Sequence, residues 1–398
     1  KMEEVDSRVN QLAAGSAFPS EFKFVYDPYP FQDRVIRGAF PLSVVALPLP
    51  MGTGKTKISI DLVTARYLMG QIDGALVWAP ASILRNWRKQ IALHTHEDYP
   101  VDVHVLESGK YKAFDKWLNR PRGDRIRWLV ASIEGSPNDK PGAAVQAFLD
   151  SHTAAAWVDE SSRIKNPSAQ RTQAISRMGE KADYKGILSG TMATKGLEDL
   201  YSQYEFLSSD ILGVGDYYAF RSRYCILGGF KDKEIVGYDN LEEFMSLVKP
   251  FTFRVTKEEA LPDLPPKVHG EEPLTVKQSP DFAKMYKEIQ SRQVSSDGGP
   301  DQLITRMLRL RQLCAGLYVT EKESVDEDGL PCTETVETLI PHPKMSEIMQ
   351  IVEDVSAPMV LWTAFVHERE MLKDALVKKY GAEAIAEVHG GIPLDKRH

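Results

Sequence analysis

Cysteine, long apolar runs and excess positive charge are all scarce in this chain of 398 residues. The three cysteines, Cys225, Cys314 and Cys332, are far apart and odd in number, which argues against a disulfide framework or a zinc site and favours a reducing cytoplasm. No stretch approaches the roughly 18 uninterrupted apolar residues of a membrane span, so we expect no membrane partner. The net charge of −7 excludes a basic footprint over the whole chain, so any nucleic-acid partner must be held by local patches.

The first half of the chain alternates between short apolar segments and helical patterns. This alternation predicts βαβ units around a parallel sheet, and hence an α/β fold. A chain of this length can form roughly two to three domains. The predicted strands are Val44–Leu47, Ala75–Trp78, Val101–Leu106, Trp128–Ser132, Ala155–Val158 and Gly186–Leu188. In open parallel sheets, ligands bind at the carboxyl ends of such strands.

Changes in composition indicate where the domains end. We expect a first domain over residues 1–257, with a helical, aromatic-rich extension at about 197–250. Residues 258–275 contain a proline-punctuated stretch that cannot be helix interior or central strand, and we interpret them as a linker. A second domain follows over residues 276–398, with a new α/β pattern from Pro358-Met359-Val360-Leu361 onward.

Two charge-rich stretches admit simple interpretations. The acidic stretch from Glu321 to Thr338 predicts a solvated hairpin or loop. A basic stretch, residues 110–127, interleaves lysines and arginines with Tyr111, Phe114 and Trp117. Basic side chains alternating with aromatic ones suit contact with nucleic acid. A solvated helix face above an aromatic core stripe explains them equally well, so both interpretations stay open.

The most informative segment follows the strand at Val44–Leu47. Its residues are Met51, Gly52, Thr53, Gly54, Lys55 and Thr56, and a helical pattern begins directly after them. A strand, a glycine-rich turn, Lys-Thr and a helix form the context of a phosphate-binding loop. In such a loop the backbone N–H groups face phosphate oxygens, Lys55 neutralises the β- and γ-phosphates, and Thr56 binds Mg²⁺. The first glycine of the usual pattern is missing, because Leu49 occupies its place.

A second part of a nucleotide site follows the strand at Ala155–Val158. Asp159 and Glu160 come at its carboxyl end, about a hundred residues after the loop. We expect the first carboxylate to hold Mg²⁺ and the second to polarise the attacking water. In an alternating α/β pattern, the two segments together predict the hydrolysis of a nucleoside triphosphate.

The segment from Asp159 to Asn166 reads Asp-Glu-Ser-Ser-Arg-Ile-Lys-Asn. It resembles the Asp-Glu-x-His-Arg-x-Lys-Asn box of the Swi/Snf-type branch of superfamily 2, the ATP-dependent translocases on double-stranded DNA. A phosphate loop without its leading glycine is also familiar from superfamily 2. Ser162 stands where the family has a histidine, the residue that links the ATP site to the coupling motif.

Further segments match the motifs of this family in order. Gln32 lies upstream of the phosphate loop, where these proteins carry a glutamine that binds the adenine edge. Residues 79–87 resemble the motif that contacts the nucleic-acid backbone, and we interpret Trp87 within it as a core residue. Residues 251–257 and the proline-rich stretch after them resemble the inter-lobe segment specific to the Swi/Snf branch.

The resemblance also assigns coupling and nucleic-acid contacts. The coupling motif, which links hydrolysis to lobe movement, corresponds to Ser189, Gly190 and Thr191, although Met192 and Lys195 replace the proline and asparagine of the family. The implied nucleic-acid contacts are Ser82, Arg85, Lys165, Thr363 and Gly390.

The resemblance covers the chain from about residue 29 to its end. It implies two RecA-like P-loop lobes with parallel sheets, the second lobe incomplete, plus helical insertions. The implied cofactors are ATP and Mg²⁺, held at the cleft between the lobes, and the implied partner is double-stranded DNA. The chain stops before the last two motifs of the family, which carry arginines that reach the γ-phosphate. Because such an arginine is worth roughly 10³–10⁵ in rate, we expect this chain to hydrolyse ATP weakly.

The compact size suggests a phage or prokaryotic member, acting in a bacterial or host cytoplasm in replication, recombination, repair or restriction. Two alternatives stay open. The first is that the chain is an ATP-gated DNA-binding module without motor activity. The second is that it is a helicase that separates strands of DNA or RNA. Displacement of a third strand tests for movement along a duplex, and unwinding of a tailed duplex tests for strand separation.

Overall fold

The computed structural model describes residues 12, 13, 15–229, 234–265, 274–291, 300–325 and 331–392. The chain divides into two compact units, Lys1–Pro266 and Lys267–His398. Their boundary lies within residues 258–275, the segment for which the sequence predicts a linker.

Six strands joined by helices form the first unit. Its strands are β1 (Val44–Pro48), β2 (Gly74–Ala79), β3 (Val101–Val105), β4 (Ile126–Ser132), β5 (Ala154–Asp159) and β6 (Tyr184–Ser189). Its helices up to β6 are α1 (Pro30–Ala39), α2 (Lys55–Leu68), α3 (Leu84–His94), α4 (Tyr111–Leu118), α5 (Asp139–Ser151) and α6 (Gln170–Gly179). All six predicted strands are confirmed, with bounds that differ by one or two residues.

The six strands are parallel and lie in the order β1-β6-β5-β2-β4-β3. Both faces of the sheet are covered. Along β2, Leu76 and Trp78 belong to the core on one face, whereas Ala75 and Val77 belong to the core on the other. Burial on both faces explains why the central strands are almost continuously apolar in the sequence.

The extension after β6 is mainly helical. Its helices are α7 (Tyr201–Leu207), α8 (Ser209–Leu212), α9 (Tyr217–Tyr224), α10 (Leu241–Val248) and α11 (Lys257–Ala260). It also contains an antiparallel hairpin of β7 (Cys225–Gly228) and β8 (Glu234–Tyr238) that the sequence analysis did not predict. These strands have only four and five residues, which is too short for a clear alternation of apolar and polar positions.

The second unit contains helices and one hairpin. Its elements are α12 (Pro280–Ser291), α13 (Pro300–Cys314), β9 (Leu317–Val325), β10 (Pro331–Leu339), α14 (Met345–Asp354) and α15 (Val366–Tyr380). The antiparallel pair β9–β10 includes the acidic stretch, which confirms the predicted hairpin.

The parallel sheet expected in the second lobe is not formed among the described residues of the second unit. Residues 358–361, where the α/β pattern predicts a strand, are not in a strand, and Val360 and Trp362 are 74% and 92% exposed. An apolar segment becomes a parallel strand only where a neighbouring strand takes up its backbone hydrogen bonds, and the described part of this unit supplies none there.

Candidate nucleotide-binding site

Three of the predicted segments meet at one edge of the parallel sheet. Strand β6 lies between β1 and β5, with Pro48 opposite Ser189 and Leu188 opposite Asp159. Because the strands are parallel, the phosphate loop after β1, the Asp-Glu pair after β5 and the coupling motif after β6 leave the same edge. A β-carbon placed on Gly190 would lie 3.5 Å from Cγ of Met51, so the coupling motif lies beside the phosphate loop.

The phosphate loop has the backbone that its glycines predict. Gly52 and Gly54 have φ values of 84° and 83°, in the left-handed region that costs side-chain-bearing residues strain. Gly54 is the N-cap of α2, and no acidic residue occupies the first turn of that helix. The N-terminus of α2 therefore presents unpaired N–H groups and the positive end of the helix dipole, which suits an anion.

Lys55 lies between this loop and two carboxylates. Its Nζ donates to the carbonyl oxygens of Leu49 at 2.9 Å and Pro50 at 3.3 Å. Burial lowers the pKa of Lys55, and the charges of Glu160 and Asp159 oppose that shift. The ammonium group is therefore partly desolvated, which strengthens its attraction for phosphate, and the two carboxylates favour its charged form.

Asp159 is held by two donors. Its Oδ2 accepts a hydrogen bond from Nε1 of Trp87 at 2.8 Å, and its Oδ1 accepts one from the backbone N–H of Glu160 at 2.9 Å. Burial raises the pKa of Asp159, while both hydrogen bonds oppose the rise. Trp87 is buried, as predicted, but its bond to Asp159 was not foreseen.

Glu160 has an unusual backbone. With φ at 50°, it is one of two non-glycine residues in the left-handed region within the described part of the chain. Burial, followed by the charge of Asp159, raises the pKa of Glu160. Strained backbone and a carboxylate whose pKa lies above its ordinary value are features expected of a group that handles a proton.

Gln32 is buried against the phosphate loop. Its Nε2 donates to the carbonyl oxygen of Thr53 at 2.9 Å, and its Oε1 accepts from the backbone N–H of Tyr29 at 3.0 Å. A β-carbon on Gly54 would lie 2.4 Å from Gln32 Nε2, so only glycine fits there. Both ends of the carboxamide therefore bind backbone in this structure. Nε2 keeps a second N–H and Oε1 a second lone pair, so contact with the adenine edge, which the resemblance implies, is compatible with these bonds.

A cavity of about 550 Å³ lies beside the loop. Gln32, Gly52, Gly54, Lys55 and Thr56, all predicted to bind ATP, line this cavity. Of the other predicted residues, Met51 is 73% exposed, whereas Thr53 is buried and its hydroxyl donates to the carbonyl oxygen of Pro50. The volume lies within the range of small-molecule sites.

Sequence reasoning missed several residues of the same cavity. Tyr26, Tyr29, Gln90 and His94 also line it, and the rings of Tyr26 and His94 meet edge to face at 5.9 Å. No phosphate-loop pattern could identify them, because they come from the segment before α1 and from the end of α3. Only the folding of α3 beside α2 brings them together.

The site contains suitable ligands for Mg²⁺. This ion prefers oxygen ligands and is usually held by one or two protein groups, phosphates and water. The Thr56 hydroxyl and the Asp159 carboxylate supply such oxygens, and each Asp159 oxygen keeps a lone pair beyond the hydrogen bond described above. Within the described ranges, no group of three or more His, Cys, Asp or Glu side chains is placed to hold a metal ion.

The coupling motif is tightly ordered. Ser189 is buried, and its Oγ accepts from the backbone N–H of Thr191 at 3.0 Å. Beyond it, one carboxylate oxygen of Asp199 accepts from the backbone N–H groups of Thr194 at 2.8 Å and Lys195 at 2.9 Å. Asp199 was not singled out from the sequence, because its bonds run back to the preceding loop and follow no capping pattern.

The predicted nucleic-acid contacts differ in their surroundings. Ser82 and Arg85 are exposed, and Arg85 approaches Glu107 at 3.4 Å. Lys165 instead forms an ion pair with Asp199 at 3.0 Å, so its charge is engaged within the first unit. In the second unit, Thr363 and Gly390 line one cavity of about 700 Å³.

The basic stretch at residues 110–127 combines buried aromatic residues with exposed basic ones. Phe114 and Trp117 are buried in the core beneath α4. Arg127 is 1% exposed and donates to the backbone carbonyl oxygens of Leu118 and Arg120. Phe114 and Trp117 therefore form a core stripe, whereas Lys110, Lys112, Lys116 and Arg120 are exposed, so both interpretations of the stretch stay open.

The ordered parallel sheet and the glycine loop at the start of α2 define a class of protein, the RecA-like P-loop α/β domains. The fold resembles that of the Sulfolobus solfataricus SWI2/SNF2 ATPase core in complex with dsDNA, with a TM-score of 0.50 and 19% sequence identity. That match covers 92% of this chain and 72% of the other. Residues 49–319 match the SNF2-related domain, and the chain belongs to this family. The resemblance drawn from the motifs is confirmed.

Relatives with similar sequences are longer proteins. The chain is 26% identical over 365 residues to the helicase/translocase-type protein YwqA of Bacillus subtilis, covering 87% of this chain and 36% of that protein. It is 27% identical over 361 residues to the Zorya protein ZorD of Escherichia coli, covering 83% and 31%. The chain therefore spans about a third of the length of these relatives. No described helix has the length and apolar character needed to cross a membrane.

Proposed function

We propose that the chain is the ATP-binding core of a DNA-dependent translocase of the SNF2 family. One observation carries this proposal. The phosphate loop, the Asp159-Glu160 pair and the Ser189–Thr191 motif leave adjacent strands at one edge of one sheet. These are the three parts that a nucleotide-driven motor needs: a phosphate site, a hydrolytic carboxylate and an element that senses hydrolysis.

In this proposal each residue has a defined role. The N–H groups at the start of α2 and Lys55 bind the phosphates, and Thr56 and Asp159 hold Mg²⁺. When bound, the ion neutralises charge that develops on the phosphate oxygens. Glu160 accepts a proton from the attacking water, a role that its raised pKa suits. The Ser189–Thr191 motif, which lies beside Met51, responds to the state of the phosphate loop.

Duplex DNA is the proposed partner. The solved relative with this fold contains dsDNA, and another relative, 25% identical over 270 residues, is the DNA annealing helicase and endonuclease ZRANB3 of Mus musculus. The net charge of −7 leaves no broad basic surface, so we expect contacts with phosphates at local sites such as Ser82 and Arg85. Replication, recombination, repair and restriction remain the proposed processes.

The test is ATP turnover without nucleic acid, with single-stranded DNA, with duplex DNA and with duplex RNA. It should be run on this chain and on any longer protein that the gene encodes. We expect duplex DNA to stimulate turnover most. Lys55→Ala should abolish ATP binding, and Glu160→Gln should bind ATP but lower turnover by about 100-fold or more, in line with the loss of a general base. Glu180→Gln, which changes an exposed carboxylate away from the loop, is the matched control.

Two outcomes would change the assignment. ATP binding without stimulated turnover in any form would favour an ATP-gated DNA-binding module. Turnover that Glu160→Gln leaves unchanged would show that another group activates the water.

A further inference from the structure

The loop that follows Glu160 and the loop that follows Thr191 are joined through one buried glutamine. Ser161 Oγ donates to Gln203 Oε1 at 2.6 Å, and Gln203 Nε2 donates to the carbonyl oxygen of Met192 at 2.8 Å. The same Nε2 donates to the carbonyl oxygen of Asp199 at 2.7 Å. Ser161 and Gln203 are both completely buried. Gln203 on α7 therefore connects the residue next to Glu160 with the residue next to Thr191.

A second connection runs parallel to the first. Lys165, four residues beyond Ser161, donates to Thr194 Oγ1 and to Asp199 Oδ2. That carboxylate oxygen also accepts from the backbone N–H groups of Thr194 and Lys195. The two connections together attach residues 161–165 to residues 192–195.

These hydrogen bonds cannot be broken singly at low cost. A buried polar group that loses its partner keeps the full penalty of desolvation, so the members of a buried network move together. Ser161 directly follows Glu160, whose backbone has a φ of 50°. This left-handed conformation is strained for a residue with a side chain and persists only where the surrounding structure stabilises it. A change in the backbone of Glu160 would therefore turn Ser161, and Gln203 would have to follow or lose its hydrogen bond.

We propose that Gln203 is a positioning residue that transmits the state of the nucleotide from Glu160 to residues 192–195. This inference rests on the proposed roles of Glu160 and of the Ser189–Thr191 motif. The link passes through Ser161 and α7, and it does not require the side chain at position 162. A chain with serine at that position thus retains a physical connection between hydrolysis and the coupling motif.

Two variants test the link. Gln203→Met keeps the length of the side chain but removes both polar groups, and Ser161→Ala removes only the donor. Ser202→Ala is the matched control, because Ser202 is the buried neighbour of Gln203 on α7 and its hydroxyl has no hydrogen-bond partner within the described structure. The double variant Ser161→Ala/Gln203→Met measures whether the two residues act as one unit.

The readouts are ATP affinity, amide hydrogen exchange in residues 189–200 with and without a non-hydrolysable ATP analogue and Mg²⁺, and turnover stimulated by duplex DNA. In the wild-type chain we expect the analogue to change exchange in residues 189–200. In Gln203→Met and in Ser161→Ala we expect the ATP affinity to stay within about 2-fold of wild type. We expect both the exchange response to the analogue and the stimulation by DNA to fall at least about 5-fold. The double variant should be no worse than the more severe single variant, and Ser202→Ala should behave as wild type.

Several results would overturn the inference. These are an exchange response in Gln203→Met equal to that of the wild type, strictly additive losses in the double variant, or no response to the analogue in the wild-type chain. If Gln203→Met fails to fold, the smaller Ser161→Ala change decides alone. Failure of the proposed function is distinguishable, because it would appear as absent DNA stimulation in the wild type while the exchange response persists.

Discussion

The indole Nε1 of Trp87 donates a hydrogen bond of 2.8 Å to Oδ2 of Asp159. Trp87 precedes the carboxylate by 72 residues in the chain, and the bond joins the start of α3 to the end of β5. The other buried indole nitrogens make no hydrogen bond within the described part of the chain, and they belong to Trp78, Trp117, Trp128 and Trp157. The bond from Trp87 is therefore a specific feature of the carboxylate site.

We predict that Trp87→Phe lowers ATP turnover about 10-fold or more, because a hydrogen bond to a charged group contributes roughly 1.5–3 kcal/mol. Without this donor, the pKa of Asp159 should rise further, since the bond opposes the effect of burial. The apparent affinity for Mg²⁺ should fall with it. The measurement is turnover over a titration of Mg²⁺. Trp117→Phe is the control, and equal losses in both variants would show that only aromatic packing matters.

A second prediction concerns Gln32, whose carboxamide binds the carbonyl oxygen of Thr53 and the N–H group of Tyr29. Because these bonds brace the phosphate loop, we expect Gln32→Ala to weaken ATP and GTP alike, each by about 10-fold, as expected for the loss of buried hydrogen bonds. The measurement is equilibrium binding of both nucleotides, with Gln146→Ala on α5, outside the cavity, as control. Loss of ATP affinity alone would show instead that Gln32 reads the adenine edge.

A third prediction follows from Asp199. Its hydrogen bonds to Lys195, Thr194 and Lys165 outweigh burial and lower its pKa to about 2, below the ordinary 3.8. The unfolded chain therefore binds this proton more readily, so the stabilisation is present above about pH 4 and is lost as the pH falls toward 2. We expect Asp199→Asn to lower the melting temperature at pH 7 and the difference from wild type to shrink as the pH falls below 4. A difference independent of pH would contradict this account.

The parallel sheet and the phosphate loop could be predicted because their signals are local. The β2 strand is apolar throughout and β5 is apolar up to Asp159, and Gly52, Gly54 and Lys55 specify a loop geometry within a few residues. The family of the chain followed from such motifs in order. Local signals also explain the prediction of the acidic hairpin, whose strands β9 and β10 are close in sequence.

The contacts that complete the site could not be predicted, because they join distant segments. Trp87 reaches Asp159 across 72 residues, and Ser161 reaches Gln203 across 42. A signal did exist for Gln203, which is a polar residue among the apolar and aromatic positions of α7. The partner of Gln203 is Ser161, and their hydrogen bond depends on how α7 packs against the loop after β5. No periodicity in the sequence predicts that packing. Residues 358–361 form no strand although their sequence is apolar. A strand needs a neighbouring strand to take up its backbone hydrogen bonds, and a local apolar pattern does not reveal whether that neighbour exists.

The last prediction concerns the buried ion pair of Lys57 and Asp61, one turn apart on α2. Their side chains are 9% and 2% exposed, and Lys57 Nζ lies 2.6 Å from Asp61 Oδ2. Burial outweighs the attraction of Lys57 and raises the pKa of Asp61 to about 6, above the ordinary 3.8. The folded chain therefore holds this proton more tightly than the unfolded chain. The resulting stabilisation is complete below about pH 4 and is lost as the pH rises through about 6.

At pH 8 the pair is ionised at a cost in desolvation, so an apolar replacement should be tolerated. We expect the free energy of unfolding of Lys57→Met/Asp61→Leu to equal or exceed that of wild type at pH 8, and its advantage over wild type to shrink between pH 8 and pH 5. Asp61→Leu alone leaves a buried ammonium without its carboxylate and should cost roughly 3–5 kcal/mol. Unfolding by denaturant without nucleotide measures both effects. If the double variant were as unstable as Asp61→Leu, the ion pair itself would be what stabilises α2 against the sheet.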